Sequence, residues 1–86
     1  MDDLNGVGRK MTEITTLDVK GLGCPVPILR ANRAIKELIP GDTLEILATD
    51  SGAPHDFQIF CETTGHKLIG SEDRDGVFII RIEVTS

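Results

Sequence analysis

Apolar residues recur along the chain with two different periods. In "ITTLDV", residues 14 to 19, β-branched side chains dominate and Leu17 and Val19 share one face, which predicts a first strand ending at Lys20-Gly21. From Pro25 to Ile39 the positions Ile28, Ala31, Ile35 and Leu38, joined by Ala34 and Ile39, follow the spacing of a helix with one buried face. Arg30, Arg33, Lys36 and Glu37 occupy its polar side. Pro40 cannot continue the hydrogen-bond ladder and Gly41 accepts turn geometry, so the helix is expected to stop there. "TLEILAT" then alternates Leu44, Ile46 and Ala48 with Thr43, Glu45 and Thr49, the period of a half-buried strand.

"DSGAPHD" reads as a loop, followed by a short helix with Phe57, Phe60, Cys61 and Thr64 on one side and Gly65 as its C-terminal cap. "HKLIGS" and "GVFIIRIEV" read as the last two strands, separated by "EDRDG", where Asp75-Gly76 favours a tight turn. Phe78, Ile80, Ile82 and Val84 are expected to face the helices, and Val77, Ile79, Arg81 and Glu83 the opposite side. The order βαβαββ predicts an α+β two-layer sandwich, a mixed four-stranded sheet with two helices on one face. Residues 1 to 12 show no sustained apolar period and are expected to form a flexible N-terminal tail ahead of a single domain over residues 13 to 86.

Composition narrows the function classes. A chain of 86 residues holds one small domain with a modest core, too little for a large enclosed active site. Its apolar runs are far shorter than the ~20 residues of a membrane-spanning helix, and the polar opening lacks the apolar stretch of a secretory signal. A cytoplasmic location and no membrane partner are therefore expected. A net charge of −5 with no Trp, no Tyr and three Phe argues against direct binding of nucleic acid. The two cysteines, Cys24 and Cys61, form neither a CxxC pair nor a disulfide framework, which fits a reducing compartment. A disulfide between them stays open at this level.

The candidate chemistry lies in "GLGCPVPILRANRAIKEL", residues 21 to 38. If Cys24 is the N-cap of the first helix, its sulfur meets unpaired amides of the first turn and the positive end of the helix dipole. Such surroundings lower a thiol pKa into a range of roughly 3.5 to 7.5. Pro25 as first helical residue and Pro27 as third both lack an N–H where no helical partner exists, which leaves the Val26 amide to point at the sulfur. Arg30 adds field along the helix, and Arg33 and Lys36 extend it into a docking patch beside the thiol.

The competing reading of Cys24 is a small buried hydrophobe. Cys61, beside Phe60 on the apolar side of the second helix, reads as core packing. His66 after Gly65 reads as a capping or strand-edge residue, and His55 as a solvated loop residue near Asp50 and Asp56. Cys24, Cys61, His55 and His66 lack the short paired spacings of a structural zinc site, so no metal is expected.

These residues resemble the TusA/SirA-like (YedF, YeeD) sulfur-carrier family. The likeness runs from about Leu17 to Val84. It rests on the Cys-Pro-x-Pro motif with its lead-in, Gly21, Leu22, Cys24, Pro25 and Pro27, and on a downstream segment of Asp50, Ala53, Asp56, Phe60, Cys61, Gly65 and His66. Ser51 stands where the family often has proline. The resemblance implies the same βαβαββ sandwich and a transient persulfide on Cys24, with no other cofactor. It implies a cysteine desulfurase or rhodanese-like sulfur donor and a downstream acceptor protein such as a DsrE-like one, in a relay step rather than stand-alone turnover. Routes fed by such relays include tRNA thiolation, molybdenum-cofactor chemistry and sulfur oxidation. Two other function classes remain at this level: a non-catalytic regulatory or interaction module with a structural Cys24, and a thiol redox protein pairing Cys24 with Cys61.

Overall fold

Strand β1 (Ile14–Asp18), helix α1 (Val26–Ile35), strand β2 (Thr43–Ala48), helix α2 (Ala53–Thr64) and strands β3 (Lys67–Arg74) and β4 (Val77–Glu83) follow one another in a computed structural model that describes residues 13–85. The tail expected over residues 1 to 12 lies outside the described residues. The sheet order is β1-β2-β4-β3, with β1 parallel to β2 and the other pairs antiparallel. This is the expected α+β sandwich. Leu44, Ile46, Ile80 and Ile82, all fully buried, form its inner face and pack with Ala31 and Ile35 of α1 and Phe57, Phe60 and Cys61 of α2.

The opposite face is amphipathic. Arg81 Nε donates to Glu45 Oε2 at 3.0 Å, Arg81 Nη1 reaches Glu72 Oε1 at 3.5 Å, and the Thr16 hydroxyl donates to Glu45 Oε1 at 3.3 Å. Glu72 reaches that face through a bulge: Leu68 pairs with Ile82 and Gly70 with Arg81, so Ile69 is the extra residue and the strand's alternation shifts by one.

Three boundaries differ from the sequence expectation, each for a local reason. Helix α1 ends at Ile35 rather than Ile39, because the amides of Lys36, Glu37 and Leu38 bond three residues back, to Arg33, Ala34 and Ile35. That tightened turn keeps Leu38 against the core and turns Ile39 outward, 53% exposed. Helix α2 begins at Ala53, so Ala53 to Asp56, expected in a loop, form its first turn. Pro54 falls where a missing N–H costs no helical bond, and the Asp56 amide donates to the Gly52 carbonyl at 2.9 Å. The last connection contracts to Asp75-Gly76, with φ of 53° and 88°, the two-residue hairpin turn that suits strand twist, and β3 runs on to Arg74.

Asp42 closes the end of the molecule farthest along α1. Only 7% exposed, its carboxylate accepts from the Ile39 amide at 3.2 Å and the Glu13 amide at 3.1 Å, while the Val84 amide donates to its carbonyl at 2.8 Å.

Candidate functional site

The connection from β1 to α1 is built to hold a corner. Val19 is fully buried and its amide donates to the Leu47 carbonyl at 2.9 Å; the Leu22 amide turns back to the Val19 carbonyl at 3.2 Å. Gly21 sits inside this turn at φ 82°, a conformation that favours glycine, and its amide donates to Thr49 Oγ1 at 2.8 Å. Leu22 packs on the core. A second turn follows at once: the Val26 amide donates to the Gly23 carbonyl at 3.0 Å, and the Cys24–Pro25 peptide is cis. Cys24 stands exposed on that corner.

This geometry corrects the capping expectation. The N-cap is Pro25, with φ −101° and ψ 15°, and Pro27 is the second helical residue, buried against the core. Cys24 lies one residue outside the cap, and no side chain caps the helix. The Val26 amide, expected at the sulfur, is taken by Gly23.

Instead the sulfur faces α2. Cys24, Pro25 and Ile28 form one wall, and Asp56, Ile59, Phe60, Thr63 and Thr64 the other, of a shallow groove of about 340 Å³. Asp56, half-buried on the first turn of α2, lines the same groove as Cys24. Asp50, just after β2, points to the same place: a Cβ built on Gly52 would lie 3.5 Å from Asp50 Oδ2 and 3.6 Å from Asp56 Oδ2.

The expected lowering of the Cys24 pKa is therefore reversed. Desolvation of the sulfur against the groove, then the carboxylate of Asp56, then the charge of Asp50, all hold the thiol above the usual cysteine range. An anion beside a carboxylate is disfavoured.

The basic stripe is elsewhere. Arg30 and Arg33 line a separate hollow of about 600 Å³ with Leu17, Val26, Leu29, Ala34 and Glu37, and Cys24 is not part of it. Lys36 is the exposed C-cap of α1 and borders neither hollow. Of the expected site residues, Pro25 shares the groove with Cys24, Leu22 and Pro27 pack toward the core, and Arg30 and Arg33 line the other hollow.

The remaining candidates have structural surroundings. Cys61 is 5% exposed in the core, where burial pushes its thiol up, and both cysteines are free. His66 Nδ1 accepts from the Thr85 amide at 3.1 Å, fixing the end of β4 against β3, and His55 is exposed on α2 rather than in a loop. Among the described residues no group of His, Cys, Asp or Glu is arranged to hold a metal ion. The acids that the sequence reading counted in the family segment but did not join to Cys24 are Asp50 and Asp56. Their signal was present: Ala53-Pro54 is a helix start, which makes Asp56 a first-turn acid facing back toward the preceding loop.

The sequence profile described as Sulfurtransferase TusA matches residues 15–84. The chain belongs to the TusA sulfurtransferase family. A protein of Neisseria meningitidis serogroup A with the provisional designation of sulfur carrier is 53% identical over 68 residues, covering 79% of this chain and 92% of its own. The sulfur carrier protein TusA of Allochromatium vinosum is 42% identical over 62 residues, covering 72% of this chain and 82% of its own. The crystal structure of a SirA-like protein from Desulfitobacterium hafniense superposes with a TM-score of 0.73 at 27% identity, over 85% of this chain and 99% of that one. The TusA/SirA-like membership expected from the Cys-Pro-x-Pro motif and the downstream segment agrees with these comparisons, and the sandwich expected from hydrophobic periodicity agrees with the SirA-like structure. Among the described residues no helix is long and apolar enough to cross a membrane.

Proposed function

We propose that the chain is a sulfur carrier in which Cys24 accepts sulfur as a persulfide and relays it to an acceptor protein. The observation that carries this reading is the position of Cys24: exposed on a doubly hydrogen-bonded corner, in the wall of an open groove that Asp56 also lines. Family membership supports it, since relatives across 42–53% identity bear the name of sulfur carrier.

The chemistry needs no cofactor beyond the persulfide itself. The Cys24 thiolate attacks the outer sulfur of a donor persulfide; a new S–S bond forms on Cys24, the donor's S–S bond breaks, and the donor thiolate leaves with the proton that Cys24 gave up. Discharge repeats the exchange with an acceptor thiolate as nucleophile and the Cys24 thiolate as leaving group. Neither step changes the net redox state, and neither needs an enclosed pocket.

The raised thiol suits a carrier. A thiol with little thiolate attacks slowly, and a thiol of high pKa is a slow leaving group. Cys24 is thus held quiet both before loading and after it until a partner changes its surroundings. The donor is a cysteine desulfurase or a rhodanese-like protein, and the acceptor a protein thiol such as that of a DsrE-like protein. Two free cysteines, one of them exposed, accord with a reducing cytoplasmic setting.

The relay is tested by pulse and chase. Carrier loaded with radiolabelled sulfur and separated from its donor should lose label from the Cys24 peptide as a reduced acceptor gains it. Label that stays on Cys24 in the presence of a reduced DsrE-like acceptor, with none gained by the acceptor, would contradict the relay.

A further inference from the structure

Sulfur exchange requires an accessible sulfur and a docking surface, yet this thiol also has two carboxylates beside it. Asp56 comes from the first turn of α2 and lines the groove with Cys24; Asp50 follows β2, and both carboxylates lie beside Gly52. The other groove residues, Ile28, Ile59, Phe60 and Thr63 among them, carry no charge. Arg30 and Arg33 line a different hollow. The charged groups acting on the sulfur are thus both negative and come from both elements packed beside it.

We propose that the Asp50–Asp56 pair is a specificity element of Cys24, selecting sulfur donors and acceptors that carry a cationic group beside the reacting sulfur and disfavouring neutral and anionic ones. A docking cation offsets the two carboxylates, which frees the thiolate for attack during loading and improves the same sulfur as a leaving group during discharge. One electrostatic feature then gates both halves of the relay, while stray anionic thiols and disulfides are kept out. The inference rests on reading Cys24 as the transfer site, but its test does not depend on a physiological partner.

The test is thiol–disulfide exchange at Cys24 with three small probes: cystamine, a dication; bis(2-hydroxyethyl) disulfide, neutral; and 3,3′-dithiodipropionate, a dianion. In each, the Cys24 thiolate attacks one sulfur, the probe's S–S bond breaks, and the departing thiolate takes up the proton. Formation of the mixed disulfide on the Cys24 peptide is followed by mass spectrometry, and each rate is divided by that of 1-thioglycerol, a neutral thiol, with the same probe. The normalised rate should favour cystamine over the dianion by on the order of tenfold, with the neutral probe between, as charges a few ångströms apart near a wet surface produce.

The double variant Asp50→Asn with Asp56→Asn should bring that ratio close to one. The control Glu37→Gln with Glu83→Gln makes the same change in net charge away from the groove and should keep the ratio. In the unaltered protein, 1 M salt, with a screening length of about 3 Å, should collapse it too; this arm decides if the double variant fails to fold. A ratio near one in the unaltered protein, or one that survives both the double substitution and salt, overturns the inference. Charge preference without sulfur loading from a desulfurase overturns the carrier reading alone. Loading without charge preference overturns the inference alone.

Discussion

At the scale of single residues, the site is a matter of one sulfur and what lies within reach of it. The glycines and prolines singled out Cys24, and the structure leaves it exposed, but its electrostatics were not legible in the sequence. The expected cap contact was lost because Val26 donates to Gly23, and the thiol turned instead to Asp56. Carboxylates favour the protonated sulfur, so alkylation of Cys24 by iodoacetamide should rise with pH later than that of an ordinary cysteine. Removing the negative charge in Asp56→Asn should move the rise to lower pH, read as the midpoint of rate against pH. A midpoint that stays in place would show that Asp56 does not act on the sulfur.

Asp42 illustrates the opposite kind of acid, one that belongs to the fold. Its buried carboxylate accepts from the Ile39 and Glu13 amides, joining the end of the α1 connection to the start of β1. Asp42→Ala should lower stability by about 1–3 kcal/mol in urea unfolding and leave the Cys24 alkylation profile where it is.

At the scale of elements, hydrophobic period and turn chemistry foretold all four strands, both helices and the faces they bury. The inner and outer residues of β4 fall as the alternation predicts, because a strand covered on one side must keep period two. The misplaced boundaries share a cause: short-range hydrogen bonds override apolar spacing. Ile39 continues the helical pattern in the sequence but follows a turn whose amides bond three residues back. Ala53 to Asp56 look like a loop by composition but have the proline placement of a first helical turn. Polar Glu72 to Arg74 look like a turn, yet they extend β3 because a bulge at Ile69 puts Glu72 beside Arg81.

Gly65 is the cap that ends α2, at φ 88° with its amide on the Cys61 carbonyl at 2.8 Å. A Cβ there would meet nothing within 4 Å, so the cost of Gly65→Ala is conformational only. It should come to about 1 kcal/mol, seen as a lower thermal midpoint with sulfur loading of the folded protein unchanged.

At the scale of the whole molecule, the chemistry is concentrated on the helical side. The thiol groove, the acid pair and the separate Arg30–Arg33 hollow all belong to α1, α2 and the ends of the strands beneath them. The outer sheet face carries the Arg81 network with Glu45 and Glu72, whose members are partly exposed. Arg81→Gln should therefore cost under about 1 kcal/mol and leave the rate of sulfur acceptance by Cys24 unaltered, measured with the same donor. A large loss of rate would place part of the transfer surface on the sheet.

The most direct measurement is the mass of the full chain after incubation with a cysteine desulfurase and cysteine, with the modified residue located by peptide mapping under non-reducing conditions. A carrier should gain the mass of one sulfur atom on the Cys24 peptide, lose it on treatment with a reductant, and show no gain in Cys24→Ser. A chain that gains no sulfur from either a desulfurase or a rhodanese-like donor, or that is labelled equally in Cys24→Ser, would contradict the assignment of Cys24 as the site of transfer.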